Sequence, residues 1–316
     1  MALSRCEQHD MSTHLSHKPP PRDGVAAATI HLPAGPWRTV FDCLVAHFAT
    51  IAAAEWVSRF ERGRVLGASG QPLSIDTAYR EGLRVHYYRE VAAEPRIPFE
   101  ASIVHQDDHL LVVDKPHFLP VSPVGGYVRE TLLTRLQQRL GNPELVPLHR
   151  LDRGTAGLIM FSTHRASRAA YQTLFRERRI TKEYAAIAPE LPNIPFPLTR
   201  STRLERGDPF VLTREIAGTP NAQTRIEVAS ASGEWWRYAL FPVTGKKHQL
   251  RVHMAALGAP IRNDDFYPTL LERDPCDFSR PLQLLARALS FTDPVSGTQR
   301  DFVSALDLGP VVDVPN

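Results

Sequence analysis

The stretch PLHRLDRGTAGLIMF, residues 147–161, decides how this chain is read. Its acid, Asp152, stands between Arg150 and Arg153, is followed at once by Gly154, Thr155 and Gly157, and precedes an apolar, strand-like run. Glycines at such a loop let backbone approach a ligand closely, and flanking guanidinium groups favour an ionised carboxylate. On this window alone, a salt-bridged turn aspartate is an equally good reading.

Downstream, TGKKHQLRVHMAALGAPIRNDDFY (244–267) predicts a helix over 248–257 that ends at Gly258. Arg251 lies three residues after His248 on roughly the same face, a candidate partner for a carboxylate elsewhere. His248 and His253 are five residues apart, about 140° round a helix, so they do not suit one zinc ion. Between the two segments, HRASRAAYQTLFRERRITK (164–182) carries six Lys or Arg against one acid, Glu177. That density attracts a phosphate backbone, or marks an ordinary solvated helix face.

The flanks fill in the architecture. Residues 103–105 and 110–113 read as a hairpin stopped by Pro116, 131–140 as a helix closed by Gly141, and 183–187, 224–229 and 235–243 as strands. Strands and helices mix without strict βαβ alternation, which predicts an α+β body over 101–316 with a largely antiparallel, mixed sheet. Ahead of it, Val40, Phe41, Leu44, Val45 and Phe48, then Trp56 and Phe60, fall at helical spacing, and residues 83–88 alternate as a strand. Residues 25–92 therefore read as a small α-α-β module, 93–100 as a linker, and the Pro- and His-rich 1–24 as a disordered tail.

With 43% hydrophobic residues in 316, the chain can bury one large core plus an appendage. The net charge of +3 tilts only slightly toward an anionic partner. Cys6, Cys43 and Cys276 lie far apart and form no CxxC, which suits a reducing, cytoplasmic compartment. No run approaches the roughly 20 apolar residues of a membrane span, and the N-terminus lacks a signal peptide's apolar core. A soluble monomer is expected. GxSxG, HExxH, GxxxxGK[ST] and GxGxxG are all missing, so nucleotide-cofactor and zinc-hydrolase chemistries lose their support.

Three segments in order, HRLDRGTAGL, KEYAAIA and TGKKHQLRVHMAALGAPI, resemble the motif series of the RluA family of RNA pseudouridine synthases. The likeness spans about 120 residues closely and extends more loosely to LQLLARALSFTDPVSGTQRDF (282–302). It implies that Asp152 is the catalytic aspartate, Tyr184 the active-site tyrosine, Arg251 the arginine paired with the aspartate, and Arg150 the side chain that fills the space left by a flipped base. Arg153, Arg176, Arg178, Arg179, Lys182, Lys247 and His248 are the further RNA-binding candidates. Two departures stand out: Leu285-Ala286 where family members commonly have a histidine in Leu-His-Ala, and Asn263-Asp264 where Gly-Asp is usual. The N-terminal module more faintly resembles the small RNA-binding fold named after a ribosomal small-subunit protein, with Arg59, Arg62 and Arg64 as its best cationic candidates.

The implied reaction converts uridine in structured RNA, ribosomal by preference or transfer RNA, into its carbon-linked isomer. A carbon–nitrogen glycosidic bond breaks, the uracil turns while trapped, and a carbon–carbon bond forms to the same sugar. Nothing is oxidised or added, so neither metal nor cofactor is expected. A carboxylate serves as a nucleophile or as a base that removes a sugar proton, and the sequence leaves both open. Two rivals use the same residues: an RNA-binding assembly factor without catalysis, and a carboxylate-based nucleoside hydrolase, which would leave the basic helix little purpose.

Overall fold

A computed structural model of the chain describes residues 19–22, 25–91 and 94–309, whose contacts divide it into two units, 1–90 and 91–316. The tail expected over 1–24 falls almost wholly outside the described residues, as do Cys6 and the histidines at 9, 14 and 17.

In the first unit, β1 (Ala28–His31) leads to α1 (Val40–His47) and α2 (Ala53–Glu61), and then to β2 (Val65–Leu66) and β3 (Arg84–Tyr87). Helix α1 starts at a reciprocal cap, in which Thr39 Oγ1 accepts from Asp42 N–H and the Asp42 carboxylate from Thr39 N–H. Val40, Cys43, Leu44, Trp56 and Phe60 from the helices bury themselves against Val65 and Val85 of the sheet, whose order is β1-β3-β2. The helix pair and the last strand match expectation; β1, antiparallel to β3, is an addition. Arg59, Arg62 and Arg64 all converge on Glu90, and Arg59, only 3% exposed, lies over the Trp56 ring. Arg59 therefore faces the core, not a nucleic acid.

In the second unit, β4 (Ser102–Gln106) and β5 (Leu110–Lys115) form the expected hairpin, its turn closed by Asp107 accepting from the His109 and Leu110 amides. Helix α3 (Leu132–Leu140) has Thr131 as its N-cap and left-handed Gly141 at its end. Then come β6 (Val146–Pro147), β7 (Ala156–Ser162), α4 (Arg168–Arg176), β8 (Ile180–Pro189), β9 (Leu198–Arg206) and β10 (Thr213–Ile216). After these follow β11 (Ala222–Ser232), β12 (Trp235–Pro242), α5 (Gln249–Ala256), β13 (Leu284–Thr292) and β14 (Gln299–Val303).

They build one 11-stranded sheet, β10-β9-β11-β12-β8-β13-β7-β5-β4, with β14 on β13 and β6 on β7. Every pairing is antiparallel except β13 with β7, so the mixed, largely antiparallel α+β body is as expected. Strand β7 is buried on both faces, which accounts for its unbroken apolar run. At its start Gly157 has φ +102, and a Cβ there would lie 2.7 Å from Ala286 N, and closer still to that residue's carbonyl oxygen. Only glycine lets β13 come this close to the end of the Asp152 loop. Among the described residues, no helix is long and apolar enough to cross a membrane.

Candidate active site

Asp152 sits in the loop between β6 and β7, at a turn closed by the Thr155 amide donating to the Asp152 carbonyl at 3.1 Å. The loop is fixed from below by Lys115 at the end of β5. Its fully buried ammonium donates to the carbonyls of Pro116, Leu119 and Arg153 at 2.9, 2.8 and 3.2 Å. Burial lowers the Lys115 pKa to about 7, against the pull of the Asp152 charge. On the other flank, His149 accepts from the Met160 amide at 3.0 Å and stacks on Phe175 of α4.

Helix α5 brings the second half of the site. His248, at its N-cap, has φ +53, and Gln249 ties the helix start to β11. The Gln249 Oε1 accepts from Thr244 Oγ1 and Lys246 N–H, while its Nε2 donates to the Gln223 carbonyl and Thr224 Oγ1. One turn on, Arg251 is 6% exposed and donates from Nε and Nη2 to both oxygens of Asp264, at 2.7 and 2.6 Å. Its Nη1 lies 3.6 Å from Asp152 Oδ2. Burial opposes the Arg251 charge, yet the bond and charge of Asp264 outweigh it and raise the pKa. The expected Asp152–Arg251 pairing thus exists as a longer contact, and the closest partner of the arginine is Asp264.

His248 was expected on the RNA-binding surface; it lies inside the site, 7% exposed, with Nε2 3.8 Å from Asp152 Oδ2. The Thr213 amide donates to the Tyr267 hydroxyl at 2.8 Å, leaving that hydroxyl's own proton for His248 Nδ1 at 2.9 Å. This arrangement suits the Nε2–H tautomer of the imidazole, its N–H on the Asp152 side. Burial lowers the His248 pKa to about 4, against the opposing effect of Asp152. His253 faces another way, between Thr202 and Thr224. Among the described residues no group of three or more His, Cys, Asp or Glu could hold a metal ion.

One cavity is lined by Arg150, Asp152, Lys182, Tyr184, His248 and Arg251 together with Leu250 and Leu284. Tyr184, from β8, has its hydroxyl pKa raised first by burial and then by the Asp152 charge. Lys182 reaches the Thr244 carbonyl at 3.3 Å, and burial, aided by the charge of Arg178, lowers its pKa to about 8. Arg150 is 61% exposed, 4.0 Å from Asp152 Oδ1. A wider cleft shares Arg150, Asp152, His248 and Arg251 and continues past Arg153, Phe210 and Lys247. Arg153 donates there to the Phe118 and Pro275 carbonyls, so it braces the loop as well as facing the cleft. Arg176 and Arg179 both pair with Glu177 at the end of α4, outside the cavity.

Asp264, Gln249, Tyr267 and Lys115 are the residues that sequence reasoning missed. Asp264 had a signal, the acid pair Asp264-Asp265 placed just after an arginine-bearing helix. Asn263 has φ +63, so the chain keeps the left-handed backbone at the position where the resemblance expects glycine, and Asp264 stays in place. Leu285, at the other departure, is 1% exposed in an apolar cluster with Ala156, Ala185, Ile187 and Leu308. That change lies in the core and not in the cavity.

A sequence model described as RNA pseudouridylate synthase matches residues 109–256. An uncharacterized RNA pseudouridine synthase of Synechocystis sp. is 31% identical over 225 residues, covering 67% of this chain and 73% of that protein. The dual-specificity RNA pseudouridine synthase RluA of Vibrio vulnificus is 34% identical over 227 residues, covering 66% of this chain and 84% of its own. Among solved structures, human RNA pseudouridylate synthase domain containing 1 superimposes with a TM-score of 0.54 at 25% identity, covering 67% of this chain and 86% of that one.

Proposed function

Since the chain belongs to the RluA family of RNA pseudouridine synthases, isomerases that convert uridine in RNA to pseudouridine, we propose that Asp152 is its catalytic carboxylate and that its targets are uridines in structured ribosomal RNA, or in transfer RNA. The observation that carries this reading is the meeting of Asp152, Tyr184 and Arg251, from three separate segments, at one cavity. The bacterial relatives are dual-specificity RNA pseudouridine synthases, which supports more than one kind of RNA as target.

In the reaction the bond between C1′ and N1 breaks, a bond between C1′ and C5 forms, and the proton leaving C5 is balanced by one gained at N1. Asp152 acts as nucleophile, or as base toward a glycal; both need its negative charge. Arg251, aimed by Asp264, orients that charge, and Tyr184 stacks on the uracil and handles the proton at C5. A stacked uridine must first be extruded, at roughly a few kcal/mol, and Arg150 fills the gap as a planar, exposed cation. The unit of residues 1–90 contributes affinity or site choice, not bond breaking.

The test is Asp152→Asn, which keeps volume and hydrogen bonding while removing charge. Folding, RNA affinity and pseudouridine formation are measured on one preparation. RNA binding should persist, since phosphate contacts dominate it, while isomerisation falls to background. A folded variant that still makes pseudouridine at a near-normal rate would overturn the assignment. Wild-type protein that binds RNA tightly yet modifies none would return the chain to the assembly-factor reading.

A further inference from the structure

Eight large apolar side chains are exposed among the described residues, and Phe210, at 64%, is the aromatic one. Single exposed apolar residues are ordinary on a protein surface, so exposure alone decides nothing. The position of Phe210 does. It projects from the loop joining β9 to β10 and, with Val124, itself 55% exposed, lines the wide cleft that contains Asp152.

Three further observations give this ring a chemistry. Arg206, exposed and without an ion-pair partner among the described residues, places its guanidinium 5.2 Å from the centre of the Phe210 ring. Lys247, one residue before His248, donates to the Phe210 carbonyl at 3.4 Å, tethering the loop to the start of α5 and so to the site. Arg150, Arg206 and Arg251 all lie near enough to Lys247 for their charges to act on it. At this end of the cleft an exposed aromatic face therefore stands among cations, the pattern that receives a nucleobase on the ring and its phosphates on the charges. An apolar peptide would find the ring but leave Arg150, Arg206 and Lys247 unmatched.

We propose that Phe210 is a stacking platform for an RNA base flanking the target uridine, with Arg206 and Lys247 holding the adjoining phosphates. The proposal rests on the pseudouridine synthase reading for its occupant, and it makes the β9–β10 loop a determinant of which sequence context is accepted. Phe210 does no chemistry: it fixes the register of the strand so that the neighbouring nucleotide is the one presented to Asp152.

The experiment uses the full chain and short RNA hairpins whose loop carries one uridine with 2-aminopurine on its 5′ or its 3′ side. Fluorescence reports stacking and affinity, and single-turnover assays report pseudouridine. Wild type should quench one of the two probes. Phe210→Ala should abolish that quench and weaken affinity roughly tenfold, the scale of a lost base–aromatic stack. Phe210→Trp should restore both signals, and an unchanged melting temperature should accompany each variant, as suits an exposed side chain. A Phe210→Ala protein with wild-type quench and affinity overturns the proposal, and so does one that loses rate at saturation without losing affinity. If wild type modifies none of the hairpins yet shows a quench that depends on Phe210, the platform stands and the catalytic reading is what fails.

Discussion

Arg251 gives Nε and Nη2 to the two oxygens of Asp264 and keeps Nη1 toward Asp152, 3.6 Å away. The Asp264 side chain is fully buried and also accepts from the Phe266 and Tyr267 amides, so it is itself immobile. A bidentate carboxylate fixes the plane of a guanidinium, and with it the direction of the remaining nitrogen. The orientation of the arginine that faces Asp152 is thus set by a residue that has no contact with the cavity's open side.

Asp264→Asn should accordingly lower pseudouridine formation by an order of magnitude or more while leaving RNA affinity nearly unchanged. It also removes one partner of a buried ion pair, which costs roughly 3–5 kcal/mol, so the melting temperature should fall. Rate per folded molecule, measured below the shifted melting point, separates the two effects. A destabilised variant with full activity per folded molecule would show that Asp264 serves stability alone.

The Thr213–Tyr267–His248 chain predicts a change in pH dependence. Removing the hydroxyl in Tyr267→Phe withdraws the proton donated to Nδ1, and with it a contact that favours neutral imidazole. Burial, the main cause of the low His248 pKa of about 4, stays in place in the variant, so the acid limb of the single-turnover rate should move upward only part of the way toward the ordinary 6.5. RNA affinity above pH 7 should be unaltered. Superimposable rate profiles for variant and wild type would remove His248 from any role in holding Asp152.

Acid should unfold the second unit early. His248 and His253 are both buried, with pKa lowered by burial to about 4 from the ordinary 6.5. Between those values the unfolded chain binds more protons than the folded one, so stability is complete above about pH 6.5 and is lost as pH falls toward 4. Each histidine contributes up to roughly 3 kcal/mol to that loss. Melting temperature followed from pH 7.5 to 4.5 should drop steeply in this window, and His253→Gln, which cannot take up the proton, should soften the drop. A flat profile would mean that neither ring is as dry as its packing suggests.

The elements with strong local signals were legible in the sequence. Residues 131–141 carry a threonine cap, a helical stripe and a terminal glycine, and all three reappear at α3. The apolar run ending at Phe161 reads as a strand, and the strand found there is buried on both faces. Strand β9 had no such signal: LTRSTRLER buries Leu204 alone, and its pairing with β10 and β11 is a long-range fact. The site divides the same way. Asp152, Tyr184 and Arg251 lie in recognisable segments, whereas the role of Tyr267 depends on an amide in β10, 54 residues away. His248, an RNA-binding candidate in the sequence, lies buried beside Asp152 because the left-handed start of α5 turns it there, while Arg153 lines the cleft and also donates to two carbonyls.

The basic stretch at the end of α4 offers the last prediction, because its three arginines are not equivalent. Arg176 and Arg179 share Glu177, at 3.8 and 2.9 Å, so part of their charge is already answered. Arg178, with φ +57, is exposed, and its charge helps lower the pKa of Lys182 in the cavity wall, which puts it on the side of the site. Of the three arginines, Arg178 is therefore the candidate contact for a phosphate near the cavity, beside Arg150, which lines it. Arg178→Gln should weaken RNA binding and flatten the plot of log affinity against log salt by roughly 0.7 to 0.9, the value of one phosphate contact, while Arg176→Gln and Arg179→Gln each change it less. Glu177→Gln, which frees the two paired arginines, should steepen the same plot. If Arg178→Gln leaves the slope untouched while Arg176→Gln or Arg179→Gln reduces it, the RNA runs along the outer face of α4 and not past the mouth of the Asp152 cavity.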